Sequence, residues 1–214
     1  MNKKLIFLAI LFLIIGGLFY FLFIWEIPEE QETSQGPTLF AKEDYKIDER
    51  EDGKYIVVEK VGLTCKVPEN WDIKIEGDDI PEPEYWVNLS SPDIATTTGN
   101  ILVKGCILNT MVATAEETVQ KIKENIKLLQ EYPEKHENLK QDYILAESFE
   151  IIDINNYLAL KTISQKNKTI GQGINIDIPI GNKNWINFNI GFPSEYEEKC
   201  SPIWEEFIKN IIIE

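Results

Sequence analysis

The sequence predicts an α+β domain, a mostly antiparallel sheet combined with helices, preceded by one N-terminal transmembrane helix. Three observations carry that prediction: an unbroken apolar run near the start, a series of alternating segments after it, and two stretches with helical periodicity. The 214 residues, 43% of them hydrophobic, suffice for one well-packed domain and are too few for two comfortable ones.

Leu5 to Trp25 contains no charge, and at ~1.5 Å per residue it spans the ~30 Å core of a bilayer. A cleaved signal peptide has a shorter apolar core and a small-x-small site, whereas Ile24-Trp25-Glu26-Ile27-Pro28 is bulky, so the run reads as an uncleaved signal anchor. Lys3 and Lys4 on one flank and the acidic Glu26–Glu32 on the other place the N-terminus in the cytoplasm and the rest outside. The expected organisation is a cytoplasmic stub (1–4), the anchor (5–25), an acidic stalk (26–44) and an extracytoplasmic domain (45–214). A disordered stalk of this length would reach roughly 25 Å.

Formal net charge is −15, and without Lys3 and Lys4 the exported part sets 19 basic residues against 36 acidic ones. Such a surface repels nucleic acid and anionic lipid, so neither is expected as a partner. Of three cysteines, Cys65, Cys106 and Cys200, one pair is expected to bridge, with the pairing left open and a buried free Cys65 as an alternative. No C-x-x-C is present and His136 is the single histidine, which argues against a redox motif or a zinc site.

Along the domain, Lys54–Lys60 and Gly62–Pro68 read as strands, with Gly62 at a bend, Pro68 ending the second, and Trp71 turning inward as a plug. Tyr85–Ser91 and Asn100–Met111 follow as strands. Thr114 and Glu117 have capping-box spacing, and Val119, Ile122, Ile126 and Leu129 form a core-facing helical stripe that Pro133 stops. Ser148–Ser164 is a hairpin turning at Asn155-Asn156, in a register that sets Glu150 opposite Lys161 and Ile152 opposite Ala159. Gly173–Ile180 and Trp185–Ile190 alternate, and a shared isoleucine face requires an odd loop or a bulge between them. A last helix is expected with Ser201 as N-cap, Pro202 at its first position and a stripe running through Ile211.

The segments Gly62–Lys74, Ser148–Lys161 and Glu205–Ile213 resemble the opening strand, central hairpin and closing helix of the PsbP-type exported domains. The resemblance implies an α/β/α sandwich with a central, mostly antiparallel sheet, and a binding or assembly module rather than an enzyme. It transfers no functional residue.

No catalytic or phosphate-binding motif stands out, no cofactor is expected, and His136 lies in a polar run typical of a solvated surface. Two polar clusters are candidate sites: Asn175, Asp177, Asn187 and Asn189 as a ligand-binding ladder on one sheet face, and Asp78, Asp79, Glu82 and Glu84 as oxygen ligands for calcium. Sequons begin at Asn88 and Asn167. The expected function is a membrane-anchored extracytoplasmic binding module with an envelope protein partner, the alternative being a small-ligand or calcium sensor.

Overall fold

Alternating sequence dominates the architecture of the computed structural model, which describes residues 37–77, 85–98, 101–135, 139, 146–164 and 172–214. Among the described residues fourteen strands fall into three sheets: β1 (Thr38–Leu39), β2 (Lys46–Arg50), β3 (Gly53–Val58), β4 (Leu63–Lys66), β5 (Asp72–Gly77), β6 (Tyr85–Ser90), β7 (Ala95–Thr96), β8 (Leu102–Lys104), β9 (Ile107–Thr114), β10 (Ala146–Ile154), β11 (Tyr157–Ser164), β12 (Gln172–Ile180), β13 (Asn184–Phe192) and β14 (Ile211–Ile213). Among the described residues two α-helices are complete, α1 (Glu116–Glu131) and α2 (Glu197–Lys209).

The large sheet runs β10-β11-β12-β13-β9-β6-β5, with β1 also pairing on β9, and the second runs β14-β4-β3-β2. All their pairings are antiparallel. Ile174, Ile176, Ile178, Ile186, Phe188 and Ile190 of the large sheet share one buried cluster with Ile56, Val58, Leu63, Cys65, Ile211 and Ile213 of the small one. The sheets therefore pack face to face around the core, with α1 on the outer face of the large sheet through Ile122, Ile126, Leu129 and Leu160.

This arrangement overturns the expected α/β/α sandwich: the layer assigned to helices on one side of the central sheet is a sheet itself, giving a β-sandwich-like fold. The physical reason lies at both ends of the domain. The alternation in β3 and β4 buries Ile56, Val58, Leu63 and Cys65 on one face, β2 pairs outside them with every residue exposed, and the three β-branched residues Ile211–Ile213 leave the helix to pair with β4, Ile211 opposite Cys65 and Ile213 opposite Leu63. Gly62 permits that docking. Its φ is +67°, and a Cβ there would stand 2.5 Å from the Glu214 carbonyl oxygen.

Other boundaries also moved. Residues 38–39, expected in the stalk, pair with β9. Thr114 stays in β9 and reaches Asn184 Oδ1 at 3.3 Å, so α1 starts on Ala115 without a side-chain cap. The α2 helix starts at Glu197, not at Ser201, and holds Pro202 in its interior. Gly105, at φ +87°, breaks the strand expected over Asn100–Met111 into β8 and β9. The Leu5–Trp25 anchor lies outside the described residues, and among the described helices none is long and apolar enough to cross a membrane.

Candidate functional site

The Pro68-Glu69-Asn70-Trp71 stretch closes a tight turn, with the Trp71 amide donating to the Pro68 carbonyl at 3.2 Å and Asn70 at φ +63°, which asparagine tolerates. The turn brings Trp71 inward, 9% exposed, and sets Val67 and Pro68 opposite α2. Between turn and helix lies a cavity of about 530 Å³ walled by Val67, Pro68, Trp71, Ile203 and Phe207. Its mouth carries Lys66, Glu69, Glu206 and Asn210. A second cavity of about 370 Å³ adjoins it on the hairpin side, sharing Lys66 to Glu69 and Trp71 and adding Asp52 to Lys54.

Lys66 is committed within the fold. Its Nζ lies 2.7 Å from Asp52 Oδ2, and the Tyr55 hydroxyl donates to the same oxygen at 2.6 Å. Hydrogen bonds from Lys66, then Tyr55, hold the Asp52 carboxyl down to about 2. Arg50 lies over the Tyr55 ring at 4.1 Å. Glu69 and Glu206 are both exposed, and Glu206 accepts from the neutral Asn210 amide at 2.9 Å. The cavity therefore presents apolar walls under two carboxylates.

A disulfide fixes the far wall. Cys200 of α2 is bonded to Cys106, just before β9, over a sequence separation of 94. Cys65 is the free thiol; it is buried at 0% exposure, and desolvation pushes its pKa up, so it is chemically quiet.

The expected ladder of Asn175, Asp177, Asn187 and Asn189 does assemble on one face of β12 and β13. Its members serve one another. Asp177, 3% exposed, accepts from Asn175 Nδ2 at 2.9 Å, Trp185 Nε1 at 2.9 Å and Asn187 Nδ2 at 2.7 Å. Burial raises its pKa despite these three donors. Asn187 is 3% exposed as well, Asn175 half-buried and Asn189 exposed. Asp177 and Asn187 are thus closed to solvent, beside the part of the sheet that α1 covers.

The proposed calcium ligands Asp78, Asp79, Glu82 and Glu84 lie outside the described residues, as do His136 and Asn167. Among the described residues no group of three or more His, Cys, Asp or Glu is placed to hold a metal ion. Asn88 sits in β6 with its amide donating to Glu76 at 3.1 Å. Sequence reasoning assigned Trp71 a structural role and did not single out Glu69, Ile203, Glu206 or Phe207 as site residues. Their meeting joins segments far apart in the chain, which no local pattern encodes.

No family model and no curated protein matches the sequence. Among solved structures, the fold is similar to LpqN of Mycobacterium tuberculosis, a protein described as involved in cell envelope biogenesis, at 13% identity and a TM-score of 0.42 over 71% of this chain and 82% of that one.

Proposed function

We propose that this is a membrane-anchored, extracytoplasmic binding module without catalytic activity, and that the Trp71 cavity receives a segment of an envelope protein in which an apolar side chain adjoins a lysine or arginine. The observation that carries the reading is the cavity itself: apolar walls from Val67, Pro68, Trp71, Ile203 and Phe207 beneath the exposed carboxylates of Glu69 and Glu206. Its volume, about 530 Å³, lies within the range of ligand pockets, ~300–1,000 Å³. The extracytoplasmic setting rests on the Leu5–Trp25 run and its flanking charges.

The test is chemical crosslinking and co-purification of the full-length chain from native membranes, beside the double variant Glu69→Lys, Glu206→Lys. Both positions are exposed, so the variant retains its fold. The reading predicts a stoichiometric partner held by the natural chain and lost at least tenfold by the variant. Equal recovery with both chains contradicts it.

A further inference from the structure

The two cavities beside Trp71 share Val67, Pro68, Glu69 and Trp71, so the Pro68-Glu69-Asn70-Trp71 turn stands between them. On one flank of the turn is α2, with Ile203, Glu206 and Phe207. On the other is the turn between β2 and β3, with Asp52, Gly53 and Lys54. The base is sunk and the tip raised: Val67 and Trp71 are buried, whereas Glu69 and Asn70 are exposed. The turn is therefore a ridge, with about 530 Å³ of open space toward the helix and about 370 Å³ toward the hairpin.

The flanks differ in chemistry. The helix side is walled by apolar groups, whereas the hairpin side is charged. There Lys66 Nζ lies 2.7 Å from Asp52, and Lys54 Nζ lies 3.6 Å from Glu49 Oε1. Lys66 and the Tyr55 hydroxyl both donate to Oδ2 of Asp52, so Oδ1 takes neither. Three carboxylates, Glu49, Asp52 and Glu69, thus stand against two ammonium groups, Lys54 and Lys66, which leaves one negative charge in excess. Glu69 lines both cavities, Glu206 only the one toward the helix.

We infer that the partner segment is an extended chain straddling this ridge, its apolar side chain in the helix-side cavity and its lysine or arginine on the hairpin side, between Glu69 and Asp52 Oδ1. The inference rests on the reading of the Trp71 cavity as a partner site, and it adds the segment's conformation and the spacing of its two anchors. In an extended chain the side chains of residues i and i+2 point the same way, ~6.7 Å apart, so they drop on either flank of a tight turn while the residue between them rides over its tip. A helix sets its neighbouring side chains along one stripe of a cylinder ~10–12 Å across, which suits a continuous groove and not a ridge. The single excess negative charge on the hairpin side matches one cation, and its place fixes which flank receives which side chain. The motif expected in the partner is therefore apolar-x-basic, or its reverse.

The test is photo-crosslinking of the full-length chain in native membranes, with a benzophenone side chain replacing either the exposed Lys54 or Ile203, and mass spectrometry of the adducts. The inference predicts the same partner from both positions, joined through one short peptide of it. It also predicts that Glu69→Gln lowers capture roughly fivefold or more and Glu206→Gln about twofold or less, because only Glu69 reaches both flanks. An adduct from position 203 with none from position 54, or adducts through separate peptides, overturns the inference and leaves the Trp71 cavity as a partner site. Equal losses from the two glutamine variants overturn it as well. No adduct from either position contradicts the partner site itself, and the inference with it.

Discussion

The Asp177 network and the Trp71 cavity solve opposite problems. Around Asp177, polar side chains are buried and satisfied by one another, three donors converging on one carboxylate. Around Trp71, apolar side chains line an open space with two carboxylates at its mouth. A buried polar group must find its partners inside the fold, because leaving it unpaired costs ~1–3 kcal/mol. A cavity wall of Val67, Pro68, Ile203 and Phe207 has no such internal solution and gains when something else covers it. The region richest in functional-looking residues thus spends its donors within the fold, and the plainer one holds the site proposed above.

The largest effect that tests this contrast is expected at the disulfide, because it fixes the α2 wall of the cavity. Closing a loop of 94 residues stabilises by about 4–5 kcal/mol in the chain-entropy picture. The double variant Cys106→Ser, Cys200→Ser should lose that much in urea unfolding and lose partner capture with it. A loss under ~1 kcal/mol would show that packing of Phe207 against Phe188, rings 5.6 Å apart, holds the helix alone.

Next in size is Asp177→Ala, which strands the amides of Asn175 and Asn187 and the indole of Trp185. We expect a cost of about 3 kcal/mol in thermal or urea unfolding. No change in partner capture at a temperature where the variant is folded would separate the network from the cavity.

The pH dependence of the two regions should have opposite signs. Burial raises the Asp177 pKa, so the folded state keeps this proton to higher pH than the unfolded chain, whose aspartates titrate near ~3.9. Stability from this residue is therefore greatest below about pH 4 and declines as pH rises through the folded pKa. Asp52 is held down to about 2, so its contribution is present above about pH 4 and is lost as pH falls toward 2. Comparing stability–pH curves of the natural chain with Asp177→Asn and Asp52→Asn checks both signs. A curve for Asp177→Asn that keeps the decline above pH 4 refutes the first assignment.

The smallest stability effect belongs to Glu69→Gln and Glu206→Gln, each within about 0.5 kcal/mol, since both side chains are exposed. Their predicted effect is on binding alone. A substantial loss of stability would mean that these carboxylates are part of the fold.

Much of the local structure was legible in the residues. Asn155 and Asn156 do turn the β10–β11 hairpin at φ +52° and +70°, with Glu150 opposite Lys161 and Ile152 opposite Ala159. The three-residue loop Gly181–Lys183 aligns Ile174 with Ile190 and Ile178 with Ile186, the even register that their shared core face requires. Layering was less legible. Ile211 completes the helical stripe of α2 as well as it fills β4's neighbour, and only Gly62 and the pairing partner β4 decide for a strand. Thr114 has the spacing of a cap, yet pairing with Asn184 keeps it in β9. Pro202 looked like a helix start because Pro is favoured there, but the chain is already helical from Glu197, which brings Cys200 to Cys106. The polar ladder was legible, since Asn175, Asp177, Asn187 and Asn189 do share a face. Trp71 was read correctly as turning inward, and the cavity beside it was not, because its other wall lies over a hundred residues away.

The proposed function is tested most directly by site-specific photo-crosslinking in native membranes. A benzophenone side chain is placed at Ile203 in the cavity wall and, as a control, at Leu158, which is 41% exposed on the large sheet. The account predicts a single protein adduct from position 203, absent from position 158 and abolished by Glu69→Lys with Glu206→Lys. No adduct at 203, or the same adduct from both positions, contradicts it.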